Sequence, residues 1–305
     1  MAPNRRSVLA GAGSGLLAAL APMASATTPT RSEIRTIPSS GAAIPAVGLG
    51  SWITFNVGDD PVLLESSAEV IAAFIDEGGG MIDSSPMYGS AQKTIGRALQ
   101  ALPGRGDVFS ADKVWTSSVA GGPEQIADTG ANWGLASFDL LQVHNLVSWE
   151  GHLDTLLGMK ADGQLRYVGI TTSHGRRHDE LERIMRALPI DFVQLTYNLV
   201  DRDAEERLLP LAMDRGIAVI VNRPFRRGAL TGRLANEPLP GLAADLGAAT
   251  WAQLILKFIL SHPAVTVAIP ATTRVDHLRE NKASARGPMP DPALRQAILD
   301  HFYTL

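Results

Sequence analysis

Short apolar segments alternate with longer amphipathic segments along most of the chain. Several of the short segments are apolar at consecutive positions, which is typical of parallel strands buried on both faces of a sheet. Eight such segments are predicted as strands: Ala46–Gly50, Met81–Asp83, Val114–Ser117, Phe138–His144, Tyr167–Thr171, Phe192–Thr196, Ile217–Asn222 and Val265–Pro270.

The amphipathic segments between these strands predict helices. Two of them end in glycine-containing stop signals, Asp162-Gly163 and Arg215-Gly216. The clearest helical segments are Val62–Glu77, Ala91–Leu102, Gly151–Ala161, His178–Leu188 and Ala204–Arg215.

Eight strand-then-helix units without a linker predict an α/β protein that folds as a single-domain (β/α)8 TIM barrel. The alternative, an open doubly wound sheet, needs a glycine-rich phosphate loop after its first strand. The glycine cluster Gly78–Gly80 precedes a strand instead, so the barrel is favoured.

We expect Thr30–Pro45 to form an N-terminal β-hairpin across the barrel bottom. Pro292–Phe302 is predicted as an extra C-terminal helix outside the barrel.

The first 26 residues have the order of an export signal. Arg5-Arg6 precedes an uncharged, mildly apolar run, Val8–Leu20, and Ala24-Ser25-Ala26 follows as a small-residue cleavage site. The run is too short and too weakly apolar to span a bilayer. Because Asn4–Leu9 resembles the twin-arginine signal, we expect the bacterial twin-arginine export machinery as a partner and a periplasmic or otherwise exported product. Residues 1–26 are thus the predicted signal peptide, residues 27–305 form the barrel, and the mature protein is not expected to bind a membrane.

Charge and cysteine content exclude some classes of function. The chain has 27 basic and 31 acidic side chains, and removal of residues 1–26 would make the net charge about −6, which argues against a nucleic-acid partner. It has no cysteine, so disulfides, thiolate catalysis and zinc–thiolate sites are excluded. No metal site is predicted.

Four polar residues follow or occupy three neighbouring predicted strands. Asp83 ends the second strand, Tyr88 lies five residues on, Lys113 opens the third strand and His144 ends the fourth. Active sites of TIM barrels gather at the C-terminal ends of the strands, although each residue taken singly also has an ordinary structural explanation. A lysine among buried residues needs a charged partner, and Asp83 is the nearest acid that could supply it.

Longer motifs surround these four residues. Tyr88–Leu99 is similar to the Tyr-Gly-x-Ser-Glu-x-x-x-Gly-x-Ala-Leu motif of the aldo-keto reductases, and Gly163–Ile170 to their Gly-Lys-Ile-Arg-x-Ile-Gly strand. Ile269–Asn281 resembles the family's C-terminal cofactor segment, and the match runs from about residue 34 to the end. The resemblance implies an oxidoreductase that interconverts a small aldehyde or ketone and its alcohol.

In this family the four residues form a catalytic tetrad. The resemblance implies that Tyr88 is the general acid, or the base in oxidation, and that Lys113 lowers its pKa. Asp83 would orient Lys113, and His144 would position the carbonyl oxygen. Trp52, after the first strand, and Trp115, after the third, are expected to wall the substrate pocket, or else to be ordinary packing.

The family binds nicotinamide cofactors extended across the barrel mouth, without a Rossmann fold. Arg274 is the candidate for the 2′-phosphate that distinguishes NADP, so NADPH is expected and NAD is less favoured. A helix start after Arg274 offers N–H groups to a phosphate. The residues that match the family's cofactor contacts are Thr171, Thr172, Gln194, Asn222, Arg223, Pro224, Phe225, Ala271, Thr272, Arg274, Glu280 and Asn281.

Two positions depart from the family pattern. Asn222 replaces the aromatic residue that stacks on nicotinamide, and Ala271 replaces a phosphate-binding lysine found in some members. These departures leave open a second class of function, a cofactor-binding sensor or binding module with little turnover. A third class, a hydrolase or isomerase on the same barrel, lacks the paired carboxylates or metal ligands that it would need, and leaves Lys113 unexplained.

Overall fold

The computed structural model describes residues 33–102 and 108–305. The predicted signal peptide, residues 1–26, lies outside these residues. Within the two described ranges, no helix combines the length and the apolar character needed to cross a membrane.

A β-hairpin precedes the barrel and covers its N-terminal end. β1 (Ile34–Thr36) pairs antiparallel with β2 (Ala43–Pro45), and the Ser40 hydroxyl lies 2.7 Å from the Tyr167 hydroxyl. The hairpin predicted at the barrel bottom is therefore confirmed. Its buried side chains share one apolar cluster with residues of the barrel strands: Ile37, Ile44, Met81, Ala111, Leu140, Tyr167, Phe192, Ala218, Ile220, Val267 and Ile269.

Eight parallel strands follow in sequence order around one sheet. Parallel bridges from Val47 to Ala268 and from Gly50 to Ala271 join the first strand to the last, so the sheet closes into the predicted (β/α)8 barrel. The strands are β3 (Leu49–Gly50), β4 (Gly80–Asp83), β5 (Val108–Val114), β6 (Leu140–His144), β7 (Tyr167–Thr171), β8 (Phe192–Thr196), β9 (Ala218–Asn222) and β10 (Val265–Ala268).

The third barrel strand does not lie where the sequence predicted it. The apolar pattern indicated Val114–Ser117, whereas β5 spans Val108–Val114. Asp112 interrupts the apolar pattern within β5. A charged residue can occupy this buried position because its carboxylate accepts the Trp133 indole N–H from α3 at 2.7 Å. Lys113, predicted to open the strand, is instead its last residue but one.

Helices surround the barrel, and their starts carry recognisable caps. Asp60 accepts the Val62 N–H at 2.9 Å, and Asp291 accepts the Leu294 N–H at 2.8 Å, which satisfies backbone donors that a helix leaves free. The helices are α1 (Pro61–Asp76), α2 (Ala91–Ala101), α3 (Gly122–Trp133), α4 (Trp149–Ala161), α5 (His178–Ala187), α6 (Leu208–Arg215), α7 (Ala229–Arg233), α8 (Leu242–Asp245), α9 (Trp251–Leu260), α10 (Val275–Ala283) and α11 (Pro292–Thr304).

The five clearest predicted helices correspond to α1, α2, α4, α5 and α6. The last of these begins at Leu208 rather than Ala204, because Asp203–Glu205 forms a separate 3-10 turn. The predicted C-terminal helix is α11, which packs Ile298, Leu299 and Phe302 into the apolar layer between the sheet and its helices. The hairpin blocks one end of the barrel, so the strand C-termini and the loops that follow them form its open face.

Candidate active site

A buried ion pair joins the second and third barrel strands. Asp83 is the last residue of β4, and Lys113 lies on the neighbouring β5. The Lys113 ammonium lies 2.7 Å from Oδ2 of Asp83 and also donates to the Ser84 carbonyl at 2.7 Å. Both side chains are almost fully buried. Asp83 is thus the partner that the sequence predicted for Lys113.

The second oxygen of the Asp83 carboxylate is held by two glutamines. Oδ1 accepts from the Gln194 amide at 3.0 Å and from the Gln142 amide at 3.3 Å. The Thr171 hydroxyl in turn donates to the Gln194 amide oxygen at 2.8 Å. Thr171 and Gln194, predicted to contact the cofactor, therefore already support the ion pair, and their cofactor contact stays a prediction.

Sequence reasoning missed Gln142. It was counted within the leucine-rich strand that ends at His144, although its side chain is fully buried in the barrel. An amide among consecutive apolar residues of a strand buried on both faces is itself a signal, because a buried amide needs hydrogen-bond partners.

Tyr88 and His144 complete the group of four. Tyr88 ends a 3-10 turn, Pro86–Tyr88, and its ring centroid lies 5.3 Å from the Lys113 ammonium. The Tyr88 and His144 rings meet edge to face with centroids 5.7 Å apart. The structure therefore brings together Asp83, Tyr88, Lys113 and His144, as the sequence predicted.

The pKa of Tyr88 is raised, not lowered. Burial raises it well above its usual value, and the negative charges of Asp83 and Asp112 raise it further. Burial also raises the pKa of Asp112 to about 7. Tyr88 consequently keeps its proton at neutral pH. The lowering of the Tyr88 pKa by Lys113, which the resemblance implies, stays a prediction.

His144 is neutral for a related reason. Burial and the positive charge of Lys113 lower the pKa of this imidazole well below its usual value. Nδ1 of His144 lies 2.7 Å from the Ser85 hydroxyl, which also accepts the Met87 N–H at 3.2 Å. If the hydroxyl proton is directed to Nδ1, the ring proton sits on Nε2. Sequence reasoning missed Ser85, since a serine after a strand more often caps a turn, as this one also does.

Two tryptophans extend the ring pair on either side. The Trp52 and Tyr88 centroids are 6.5 Å apart, and so are those of Trp115 and His144. Trp115 follows β5 directly and is 39% exposed. The four rings form one row beside the ion pair, which is the arrangement expected of pocket walls.

A cleft of about 710 Å³ lies beside the last two barrel strands. It contains several of the predicted cofactor residues, and its lining includes Phe225, Gly228, Ala271, Thr272, Glu280 and Asn281. Arg274 lies outside this lining at the start of α10, where it is exposed and forms two hydrogen bonds to Asp276, at 3.0 and 2.5 Å.

The remaining predicted cofactor residues lie at the ends of β7 and β9. The Thr172 hydroxyl is buried and has no hydrogen-bond partner among the described residues. Asn222 donates to the Thr172 carbonyl at 2.9 Å and accepts from the Thr196 hydroxyl at 2.6 Å, so it ties three strand ends together. The next loop begins with Arg223, whose carbonyl accepts from Asn198, and with the buried Pro224.

Comparison with known proteins relates this chain to the aldo/keto reductases. The model of the aldo/keto reductase family matches residues 46–296. Aldo-keto reductase YhdN of Bacillus subtilis is 28% identical over 223 residues. The match covers 67% of this chain and 66% of that protein, which is just under two thirds of its length. Probable aldo-keto reductase 1 of Glycine max is 25% identical over 301 residues, covering 85% of this chain and 86% of the relative.

A solved structure extends the likeness to the fold. The aldo/keto reductase from Klebsiella pneumoniae, in complex with NADP and acetate, superposes with a TM-score of 0.74 at 23% identity, covering 88% of this chain and 95% of that one. The family match, residues 46–296, spans most of the chain and includes all eight strands of the closed barrel. The chain therefore belongs to the aldo/keto reductase family of oxidoreductases.

Proposed function

We propose that this protein is an NADP-dependent oxidoreductase that interconverts a small aldehyde or ketone and its alcohol. The observation that carries the proposal is the buried Lys113–Asp83 pair beneath a protonated Tyr88 and a neutral His144. When bound, NADPH supplies the hydride that the carbonyl carbon accepts. The proton for the carbonyl oxygen must come from the protein.

Tyr88 Oη is the proton donor in this proposal. Its raised pKa keeps the donor form populated at neutral pH, and the nearby Lys113 ammonium stabilises the phenolate that forms when the proton leaves. Asp83 holds Lys113 in place. His144 Nε2–H donates a hydrogen bond to the carbonyl oxygen, and the row of rings from Trp52 to Trp115 excludes water.

The residues around the cleft suit a dinucleotide. The Thr172 hydroxyl, which is buried without a hydrogen-bond partner among the described residues, offers a hydrogen bond near the tetrad, and Glu280 and Asn281 line the cleft. Arg274, at the start of α10, is the proposed contact of the 2′-phosphate. The NADP complex of the Klebsiella pneumoniae relative supports this choice of cofactor.

A second candidate is a binding or sensing module that holds the cofactor and turns over rarely. Asn222 favours it, because a side chain hydrogen-bonded to two neighbouring strands replaces a stacking aromatic ring. Multiple-turnover kinetics with a generic aldehyde separates the two candidates.

We also propose that the protein is exported to the periplasm through the twin-arginine route with its cofactor already bound. The leader around Arg5-Arg6 supports this route. Folded export would deliver the cofactor to a compartment that is not expected to supply it.

Tyr88→Phe should remove most of the reductase activity while the dissociation constant of NADPH stays within a few-fold of the parent. Only the hydroxyl is lost, and general acids contribute about 10²- to 10⁴-fold in rate. Steady-state and pre-steady-state rates with an aldehyde measure the effect. Tyr303→Phe, on the exposed face of α11, is the matched control. Retention of a tenth or more of the parental kcat, with chemistry rate-limiting, would contradict the assignment.

Ser85→Ala should shift the tautomer of His144 and lower kcat about tenfold, since the proton on Nε2 is no longer fixed. Nitrogen-15 NMR of the histidine ring reports the tautomer directly. Ser85→Thr should restore it, because the hydroxyl is retained. Ser84→Ala serves as the control for tautomer, as the neighbouring Ser84 hydroxyl has no partner among the described residues. Unchanged ring signals in Ser85→Ala would show that the hydroxyl only caps the turn.

Arg274→Ala should weaken NADPH binding by about tenfold or more and affect NADH far less, since a guanidinium fork binds a phosphate. Asp276→Ala should act in the opposite direction on NADPH, because Asp276 competes for the same guanidinium. Fluorescence titration of both cofactors measures the two effects. Equal losses of NADPH and NADH affinity in Arg274→Ala would make the arginine structural.

Replacement of Arg5-Arg6 by two lysines should block export from a bacterial host. Periplasmic protein from parental cells should contain nicotinamide cofactor at a substantial fraction of one per chain. Survival through export requires slow dissociation, which at ordinary association rates means a Kd well below micromolar. Mass and absorbance of the small molecule released from periplasmic protein provide the measurement. Cofactor-free protein with weak NADPH affinity would contradict the proposal.

A further inference from the structure

The chain directly after β5 is held by side chains rather than by the barrel sheet. The pairing of β5 with β6 ends at Val114 and Val143, so Trp115 lies just beyond the strand ladder. We call the three residues after β5, residues 115–117, the anchored segment. Backbone groups that leave a sheet still need hydrogen-bond partners, and here three neighbouring elements supply them.

Gln125 makes the most complete of these contacts. From the first turn of α3, its amide oxygen accepts the Trp115 N–H at 2.6 Å, and its amide nitrogen donates to the Trp115 carbonyl at 2.9 Å. A side-chain amide carries a donor and an acceptor like those of a peptide group, so Gln125 takes the place of a neighbouring strand for this one residue. Both polar groups of the Trp115 backbone are thereby fixed.

His152 holds the next residue of the segment. It lies on α4 and is buried, with Nε2 2.8 Å from the Thr116 carbonyl oxygen. A carbonyl oxygen only accepts, so Nε2 carries a proton. Gly122, at the start of α3, makes room for the ring, because a Cβ atom there would lie 2.9 Å from Nδ1 of His152.

The last residue of the segment is held from the loop before α4. The Ser148 hydroxyl donates to the Ser117 carbonyl at 3.0 Å. Ser148 has a φ of +46°, in the left-handed region that residues other than glycine rarely adopt. The carbonyls of residues 115, 116 and 117 therefore each accept a hydrogen bond from a different side chain.

These contacts fix the backbone that carries the Trp115 indole. Trp115 is 39% exposed, and its ring centroid lies 6.5 Å from that of His144, the proposed donor to the carbonyl oxygen. A side chain at a binding site is held in place by its own packing and by the hydrogen bonds of its supporting groups. Because the indole is only partly packed, the hydrogen bonds of its backbone contribute much of its orientation.

We propose that Gln125 is a specificity-determining residue that acts through Trp115. It keeps the indole where the flat ring of an aromatic aldehyde or ketone packs against it while the carbonyl oxygen lies beside His144. A small aliphatic aldehyde does not extend to this wall. The inference rests on the proposed function, because it names a residue that selects substrates at the same site.

Benzaldehyde and propanal test the proposal, because they share the reacting group and differ in whether they extend to the indole. Gln125→Met keeps the length of the side chain and removes both hydrogen bonds, so KM for benzaldehyde should rise about three- to tenfold. The kcat of both aldehydes and KM for propanal should stay within about twofold of the parent. Gln296→Met is the control, since it removes an exposed glutamine contact, to Asp300 within α11, and should change neither KM.

A double-variant cycle measures whether Gln125 acts through the indole. Once Trp115→Ala has removed the ring, addition of Gln125→Met should raise KM for benzaldehyde no further. Nitrogen-15 NMR of the indole N–H groups gives a direct readout, because the signal missing from Trp115→Phe identifies Trp115. That signal should move most in Gln125→Met.

Gln125→Glu is a second variant of nearly unchanged shape. Its carboxylate still accepts the Trp115 N–H but, when ionised, has no proton to donate to the Trp115 carbonyl. KM for benzaldehyde should rise in this variant as well, which keeps the test available where Gln125→Met disturbs α3.

Failure of the proposed function and failure of this inference give different results. No turnover of either aldehyde by the parent would overturn the proposed function, and the substrate selection with it. Normal turnover with an unchanged KM for benzaldehyde in both Gln125 variants, an equal rise for both aldehydes, or a further rise in the Trp115→Ala background would overturn the role of Gln125 alone.

Discussion

The ion pair between Lys113 and Asp83 is the constraint on which the rest of the site depends. Taking two charges out of water is expensive, and the cost is recovered only where the geometry is good and the remaining donors and acceptors are satisfied. Here the Ser84 carbonyl accepts from the ammonium, and the Gln142 and Gln194 amides donate to the carboxylate. Loss of either charge would leave the other buried and unpaired.

The pair also sets the protonation states around it. The Lys113 charge adds to burial in keeping His144 neutral, and the Asp83 charge adds to burial in keeping Tyr88 protonated. Burial, reinforced by this pair, thus favours the neutral form of both neighbours, and Asp112 adds to the effect at Tyr88. The Ser85 hydroxyl, 2.7 Å from Nδ1 of His144, is placed to fix which ring nitrogen carries a proton.

Much of this could be predicted from the sequence, for physical reasons. Strands buried on both faces are apolar at consecutive positions, so seven of the eight barrel strands were placed correctly. The partner of Lys113 was predicted because a buried lysine needs a nearby acid. The third strand was misplaced because Asp112 is satisfied by the Trp133 indole, a contact made across more than twenty residues of chain.

What the sequence did not reveal depends on how separate loops meet. Ser85 and Gln142 look ordinary until His144 and Asp83 are seen beside them. The pairing of Arg274 with Asp276 was also missed, although the two are close in sequence, because side-chain direction at a helix start is not evident from spacing.

The hairpin at the bottom of the barrel has a consequence for where ligands can enter. Ile37 and Ile44 seal that end together with strand residues such as Met81 and Phe192, so the barrel has a single open mouth. Any ligand of the site must therefore enter and leave across the loops that follow the strands, so substitutions in the hairpin should change the stability of the barrel rather than access to the site.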